Sequence, residues 1–353
     1  MRFPRYLRQG QVRPRPSRPF QKRDRHANVV IASPLPPCPL PPSPFPLFGF
    51  RPTIQVMRTA LSCSAWVAAA ALCSGAGANQ QPDRDIVLTL SRSESVLRTG
   101  DAVFVSVETS VPFTTLEGEA FGRGVSFWPG ASERQWHGLV GIDMEAGAGT
   151  YELQVHATSV TRAAEARMPL VVEERRVETR RIRVAQRFAN PSREEAARIQ
   201  QEAERLAKVL GQSEPMRLWR GPFIPPVPGP STSSFGRLTV MNNVPRGRHR
   251  GVDFRASEGT PIRAPNAGTV VLAADLYFTG NTVILDHGAG LVSLLAHLSH
   301  IVVDEGMQVS GGDLVGQTGS TGRVTGPHLH WAMRLSDATI DPLSLISALS
   351  AAN

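Results

Sequence analysis

Between residues 83 and 185, apolar and polar positions alternate in short runs that are separated by glycine and charged residues. The runs read DIVLTL, AVFVSVET, HGLVGIDM, TYELQVHATS and MPLVVEE. Successive side chains of a strand point to opposite faces, so this period indicates strands with one buried face. A series of such strands predicts a β-sandwich of the immunoglobulin-like kind over residues 79–187.

The period changes after residue 189. Apolar residues recur at helical spacing in NPSREEAARIQQEAERLAKVLG, at Ala196, Ile199, Ala203, Leu206 and Leu210. Ser192 followed by Glu195 indicates a capping box, and Gly211 can end the helix. The stripe is too short for a coiled coil, so we expect it to pack against a domain.

A proline-rich stretch, GPFIPPVPGPSTSS at 221–234, follows the helix. Its composition is typical of a linker. Residues 188–234 are therefore predicted to be a helix and a linker between two domains.

Strand-like runs return between residues 235 and 346, where GTVVLAAD, NTVILDHG, GLVSLLAHLS and HLHWAMRL alternate with glycine-rich turns. No long helical period interrupts them, which predicts a mostly antiparallel β-sheet. The predicted fold class is therefore mainly β, with an N-terminal β-sandwich, a connecting helix and a C-terminal β domain.

The formal net charge of +8 would ordinarily suggest a nucleic-acid partner. However, residues 1–78 hold 11 of the 38 lysines and arginines and a single acid, Asp24. The rest of the chain has 27 basic and 29 acidic residues, so its charge gives no reason to expect nucleic-acid binding.

The basic arm has two parts. Residues 1–56 contain 13 of the 29 prolines, which disfavours a packed core and predicts a disordered segment or a start site placed too early. Residues 57–78, MRTALSCSAWVAAAALCSGAGA, have a short basic start, an apolar run and small residues at the end. This pattern predicts a signal peptide, with the mature chain starting near Asn79 in the periplasm. If the segment is not cleaved, it would hold the protein at the inner membrane.

All three cysteines, Cys38, Cys63 and Cys73, precede residue 79. The expected mature chain therefore has no disulfide, and no thiol could act as a nucleophile or a metal ligand.

Six of the nine histidines lie between residues 249 and 330. His328 and His330 are two apart, so in a strand they share a face, which suits a metal site or one metal ligand beside a proton-handling group. His249 and Asp253 are four apart, and Gly251 allows the chain to bend between them. Two imidazoles and one carboxylate can hold a metal with a position open for water. The alternative is a pair of surface histidines on a strand.

The segments HRGVDF, LLAHLS and GSTGRVTGPHLHW resemble the three motifs of the lysostaphin/LytM-type zinc endopeptidases, which cleave peptidoglycan peptides. The similarity covers residues 235–342, and the sandwich and helix before it are similar to Gram-negative members. The resemblance implies one zinc per chain on His249, Asp253 and His330. It implies that His297 and His328 are catalytic, one taking the proton of the attacking water and the other stabilising the tetrahedral intermediate. The resemblance does not assign these two roles between His297 and His328.

One position departs from the family pattern: Leu295 stands where an aromatic residue is frequent, which concerns local packing or substrate contact rather than the metal. The remaining candidate residues are expected to be structural. We expect His287 to be a turn histidine, His300 to be exposed, and Asp286 and Asp341 to form turns.

The resemblance predicts a secreted zinc metalloendopeptidase that hydrolyses peptide stems or cross-links of peptidoglycan. A second hypothesis is a non-catalytic cell-wall-binding regulator of another wall hydrolase, although such members usually lack metal ligands that this chain retains. A third is a non-haem iron oxygenase, which also uses two histidines and a carboxylate. That hypothesis leaves His297 and His328 without a role.

Overall fold

The computed structural model describes residues 27–31, 86–93, 96–183 and 191–350. The predicted signal peptide at 57–78 and most of residues 1–56 lie outside the described residues. Across the described ranges, no helix combines the length and the apolar character needed to cross a membrane.

Nine strands form the N-terminal domain. They are β1 (Ala27–Ile31), β2 (Val87–Arg92), β3 (Leu97–Arg98), β4 (Ala102–Thr109), β5 (Thr115–Ala120), β6 (Arg123–Pro129), β7 (Gln135–Gly141), β8 (Gly149–Thr158) and β9 (Ala163–Glu173). Strand β1 pairs with β2, although it lies inside the segment for which the sequence predicts no core. Its residues, ANVVI, include three β-branched side chains in a row, which favour a strand.

The nine strands follow one another in the order β1-β2-β4-β7-β6-β5-β8-β9-β3, and the sheet folds over at β6. The first residues of β6 pair with β5, and its last residues pair with β7. Along β9, every second residue from Ala164 to Val172 is buried. The alternation expected from the sequence is therefore seen, and a sandwich-like core forms between the two halves of the sheet.

Helix α1 (Arg193–Leu210) follows β10 (Thr179–Ile182). The predicted capping box is present, because the Ser192 side chain accepts from the Glu195 backbone and the Glu195 side chain accepts from the Ser192 backbone. Leu206 and Leu210 pack on the C-terminal domain, as the helical stripe predicts.

The stretch expected to be a linker packs against the C-terminal domain instead of spanning free space. Phe223 and Val227 are buried in the main core. The backbone N–H of Ile224 donates to Pro265, and the N–H of Arg263 donates to Pro226. Further hydrogen bonds attach the segment at both ends, from the Asn266 side chain to the Pro222 carbonyl and from the Thr232 and Ser233 hydroxyls to Asp253.

The C-terminal domain contains the remaining elements. They are β11 (Ser231–Ser233), β12 (Leu238–Met241), β13 (Val244–Arg248), β14 (Val252–Phe254), β15 (Pro261–Arg263), β16 (Gly268–Leu276), β17 (Gly280–Asp286), β18 (Leu291–Ile301), β19 (Gln308–Val309), β20 (Leu314–Thr318), β21 (Leu329–Leu335), β22 (Ala338–Ile340) and α2 (Pro342–Ser350).

Its main sheet has the order β11-β14-β21-β18-β17-β16-β19, with antiparallel neighbours throughout. Strands β15 and β20 pair with each other, β20 also pairs with β18, and β22 pairs with β21. The prediction of a mainly β chain with an antiparallel C-terminal domain is confirmed.

The two domains share an apolar core, in which Phe104 and Leu139 of the sandwich join Leu335 and Leu345. Beside it, the guanidinium of Arg175 binds Asp101 at 2.6 Å and Asp341 at 3.1 Å. Asp341 also accepts the N–H of Leu343 in the first turn of α2. This aspartate therefore forms the expected turn, and it is also buried and links the domains through Arg175.

Candidate metal centre and active site

The first two site residues flank a tight bend between β13 and β14. His249 follows β13, and Asp253 is the middle residue of β14. Between them, a Cβ atom on Gly251 would lie 2.8 Å from the His330 ring. A side chain at residue 251 would therefore displace His330, so the bend requires glycine.

Strand pairing brings the third residue to the first two. In the antiparallel pair of β14 and β21, Asp253 lies directly opposite His330. On its other side, His330 is paired with Ala296 of β18. His330 is thus held in the middle of the sheet, where its position depends on two strand registers.

Three donor atoms meet at this point. His249 Nε2 lies 3.0 Å from Asp253 Oδ1 and 3.0 Å from His330 Nδ1, and the latter two atoms are 2.9 Å apart. These separations are close to the roughly 3.3 Å expected between neighbouring ligands of tetrahedral zinc. Among the described residues, this is the cluster of histidine and acidic side chains that could hold a metal.

Neighbouring groups orient the donors. His249 Nδ1 lies 3.3 Å from the carbonyl of Ser234, so a neutral ring that donates its Nδ1–H there presents Nε2 as the metal-binding nitrogen. The Ser233 hydroxyl donates to Asp253 Oδ2 at 2.8 Å, so that Oδ1 faces the cluster. Arg237 places a guanidinium nitrogen 3.9 Å from Oδ2.

Electrostatics favour the metal-binding protonation states. Burial opposes ionisation of Asp253, but hydrogen bonds from His249 and His330 outweigh it and hold the pKa of the carboxyl below its usual range. Burial also lowers the pKa of His330, against the hydrogen bond with Asp253. A carboxylate and two neutral imidazoles are the ligand set of a catalytic zinc site, and the cofactor that this cluster fits is zinc.

His297 reaches the site through a break in β18. Its φ is +68°, a left-handed conformation that is uncommon for residues other than glycine. The pairing register with β17 shifts between Leu295 and Leu298, on either side of this position. In a regular strand, residue 297 would point to the same face as the buried Leu295, away from the cluster. The bulge turns the imidazole to the other face, where its ring centre lies 6.0 Å from that of His330.

The two predicted catalytic histidines are held in the same way. The Nδ1–H of His297 donates to the Thr321 carbonyl at 2.9 Å, and that of His328 donates to the Gly326 carbonyl at 2.8 Å. Their rings are 4.8 Å apart, and His328 Nε2 lies 3.9 Å from Asp253 Oδ1. In the neutral form of either ring, Nε2 is therefore the nitrogen that can accept a proton.

Burial lowers the pKa of His297 to about 3, with a further contribution from the neighbouring His330 and His328. The imidazole is consequently neutral at neutral pH, as a proton acceptor must be. The same burial makes the protonated imidazole of His297 unfavourable.

Two loops, one carrying Thr279 and the other Thr321, hold His297 in position. The backbone N–H of His297 donates to Thr279, and the N–H of Arg323 donates to Phe278. The Arg323 guanidinium lies 4.5 Å from the centre of the Phe278 ring. The loop that carries Thr279 is thereby fixed to the loop that carries Thr321.

The other predicted histidines lie elsewhere. His287 is fully buried between the Ala267 carbonyl and the Ser293 hydroxyl, and His300 is exposed. Asp286 accepts hydrogen bonds from Ser213 and from the backbone of Glu214 and Gly288, consistent with the expected turn.

Sequence reasoning missed Ser233, Arg237 and Thr321, which support Asp253 and His297. Ser233 lies within the stretch taken as a linker. Thr321 acts through its carbonyl, which any residue could supply. No motif in the sequence marks these supporting contacts.

Comparison with known proteins assigns the C-terminal domain. Residues 247–342 match the model of peptidase family M23. A peptidase M23 structure from Pseudomonas aeruginosa is 31% identical, covers 69% of this chain and 93% of its own, and superposes with a TM-score of 0.55. The likeness therefore extends beyond the metal-binding domain.

Two curated relatives match over shorter segments. The DD-carboxypeptidase/endopeptidase Mpg of Neisseria meningitidis serogroup B is 41% identical over 97 residues, 28% of this chain and 22% of that protein. The peptidoglycan DD-endopeptidase ShyA of Vibrio cholerae is 42% identical over 85 residues, 24% of this chain and 20% of that protein. The matched part thus spans about a fifth of these relatives.

Proposed function

Since this chain belongs to peptidase family M23, we propose that it is a zinc metalloendopeptidase that hydrolyses peptide stems or cross-links of peptidoglycan. The observation that carries the proposal is the meeting of His249, Asp253 and His330 with two further histidines that each present an Nε2 atom. Similarity to the peptidoglycan DD-endopeptidase ShyA supports peptidoglycan as the substrate.

The three clustered donors would hold zinc through His249 Nε2, Asp253 Oδ1 and His330 Nδ1. When bound, zinc supplies a Lewis acid that polarises the scissile carbonyl and makes water a stronger nucleophile. Ser233 and the Ser234 carbonyl orient two of the donors, and the imidazoles of His297 and His328 lie beside the cluster.

The two remaining histidines handle protons. One Nε2 accepts a proton from the attacking water, and the other imidazole stabilises the charge that develops on the carbonyl oxygen. The Thr321 and Gly326 carbonyls retain the Nδ1 protons, so a neutral ring presents Nε2 as an acceptor, which is the tautomer that the general base requires. The ring that stabilises the carbonyl oxygen must also carry a proton on Nε2.

The test is digestion of defined muropeptides by the purified protein, with mass spectrometry of the products. We expect a peptide bond to be hydrolysed by the zinc-loaded protein, no reaction after removal of metal by a chelator, and recovery when zinc is restored. A protein that binds zinc and peptidoglycan but hydrolyses no muropeptide would instead fit the wall-binding regulator. Iron with oxygen consumption would indicate the oxygenase.

We also propose that the protein is exported to the periplasm by the segment 57–78, which lies outside the described residues. The composition of that segment supports export. N-terminal sequencing of the protein recovered from the periplasm should give a start near Asn79. An exported protein that retains residues 57–78 and sediments with the inner membrane would show that the segment is an anchor.

A further inference from the structure

A groove with a volume of about 510 Å³ leads away from the metal cluster along one face of the main sheet. Side chains two apart on β21 share this face, so His330 is followed along the groove by Ala332 and Arg334. Val292 and Leu294 of β18 lie opposite Arg334 and Ala332 and complete the floor. The groove therefore begins at a predicted zinc ligand and continues over an apolar surface.

All three parts of the chain contribute to its walls. Leu206 and Leu210 of α1 line one side, and Met144 and Glu145 of the sandwich line another. Thr279 and Arg250 line it near the histidines. A groove that is continuous with the metal site and has an apolar floor can hold the part of a substrate next to the scissile bond.

Most of the charged side chains along the groove are already engaged. Arg334 pairs with Asp337 at 2.9 Å. Asp143 accepts the backbone N–H groups of Glu145 and Thr339 at 2.8 Å each, and Glu145 lies 4.0 Å from Arg248.

Arg250 is different. It is exposed, lines the groove, and has no hydrogen-bond or ion-pair partner anywhere in the part of the chain that the structure describes. It directly follows His249 in the chain, so its backbone is held beside the metal cluster. A planar guanidinium without a partner can bind a carboxylate through two parallel hydrogen bonds.

We propose that Arg250 is a specificity-determining residue that binds a free carboxylate of the substrate residue next to the scissile bond. The inference rests on the proposed function, which it deepens by naming a substrate class: peptides with an anionic group within one residue of the cleaved bond. The apolar floor lowers the local dielectric, which strengthens the pairing compared with an arginine in open water.

An exposed arginine without partners contributes little to folding, so substitutions should leave the structure intact. The experiment uses the zinc-loaded protein and two muropeptide dimers cross-linked through diaminopimelate, in which the carboxylate beside the cross-link is either free or amidated. The kcat and KM values for both dimers are measured for the wild type, Arg250→Gln, Arg250→Lys and Arg250→Glu, with zinc content determined on each preparation.

We expect the wild type to prefer the free carboxylate. Arg250→Gln should lower kcat/KM for that dimer by roughly tenfold or more, mainly through KM, and change the amidated dimer little. Arg250→Lys should retain part of the preference because it keeps the charge, and Arg250→Glu should reverse it. Arg162→Gln is the matched control: it removes one exposed arginine from the β8–β9 turn, which does not line the groove.

The outcomes distinguish failure of the proposed role of Arg250 from failure of the proposed function. If Arg250→Gln changes both dimers equally or neither, or if Arg162→Gln produces the same selective loss, the role of Arg250 is overturned and the proposed function stands. If the zinc-loaded wild type hydrolyses neither these dimers nor other defined muropeptides, the proposed function fails and the role of Arg250 fails with it.

Discussion

Two buried histidines in the same domain, His287 after β17 and His297 in β18, show what distinguishes a structural imidazole from a reactive one. Each donates its Nδ1–H to a backbone carbonyl, Ala267 at 2.7 Å and Thr321 at 2.9 Å. Burial lowers the pKa of His287 to about 4 and that of His297 to about 3. By burial, tautomer and charge they are nearly alike.

They differ at the second nitrogen. The Nε2 of His287 lies 2.8 Å from the Ser293 hydroxyl, so both ring nitrogens are satisfied within the core. The Nε2 of His297 has no hydrogen-bond partner among the described residues, and its ring faces His328 and His330. A lowered pKa therefore does not identify a catalytic group. A ring nitrogen that has no hydrogen-bond partner and faces a metal cluster is a better indicator of a catalytic group.

The largest effect should come from removing a metal ligand. His249→Ala, Asp253→Ala or His330→Ala leaves two of three protein donors, so bound zinc and hydrolysis should be lost together. Elemental analysis and muropeptide cleavage on the same preparation check this. Full zinc occupancy in all three variants would contradict the assignment.

The next largest effect should come from the histidines beside the metal. His297→Ala and His328→Ala should retain zinc but lower kcat by roughly a hundredfold or more, the usual loss for a general base or an oxyanion donor. The same paired measurement applies. If His328→Ala loses zinc while His330→Ala keeps it, the roles within the pair are reversed, and unchanged activity in both variants would make the pair structural.

A smaller effect is expected from the hydroxyl that orients Asp253. Ser233→Ala removes the donor to Oδ2 and should weaken zinc binding by about tenfold, at the low end for groups that support a metal ligand. Competition with a chelator of known affinity measures this. Thr232→Ala is the control, because that hydroxyl donates to the Asp253 backbone carbonyl and not to its carboxylate. Equal weakening in both variants would argue against a specific role for Ser233.

The smallest effect on catalysis should come from His287. His287→Gln should leave kcat of the folded, zinc-loaded protein within about twofold of wild type, because the residue lies outside the site. The His287→Gln substitution should instead change the free energy of unfolding. A kcat loss comparable to that of His297→Ala would erase the distinction between the two histidines.

The pH dependence of stability sharpens the same comparison. The pKa of His287 in the folded protein, about 4, is below the ordinary histidine pKa of 6.5, so the unfolded chain binds the proton more tightly. The stabilisation is fully present above pH 6.5 and is lost as the pH falls towards 4, by up to about 3 kcal/mol. Urea unfolding between pH 4 and 7 should therefore show a shallower pH dependence in His287→Gln than in the wild type.

Local patterns were sufficient for much of the fold. The period of two predicted the strands of both domains, and the stripe with its capping box predicted α1, because these signals depend on neighbours a few residues apart. The stretch at 221–234 shows what local sequence patterns do not predict. Its prolines indicate the absence of regular structure, but they do not reveal that Phe223 and Val227 enter the core.

The candidate site shows the same difference between what local sequence patterns predict and what they do not. The sequence by itself predicted which residues carry the chemistry, because the resemblance of three short segments implied roles for His249, Asp253, His297, His328 and His330. It also indicated that His328 and His330 share a face, since two positions in a strand return to the same side.

Only the tertiary structure decided how these residues meet. The register of β14 against β21 sets Asp253 opposite His330, and the bulge in β18 turns His297 away from the core face that simple alternation assigns to it. Ser233 and the carbonyl of Thr321 reach the site from segments far apart in the chain. Register, bulges and the meeting of loops depend on the packing energy of the whole domain, and no local period records them.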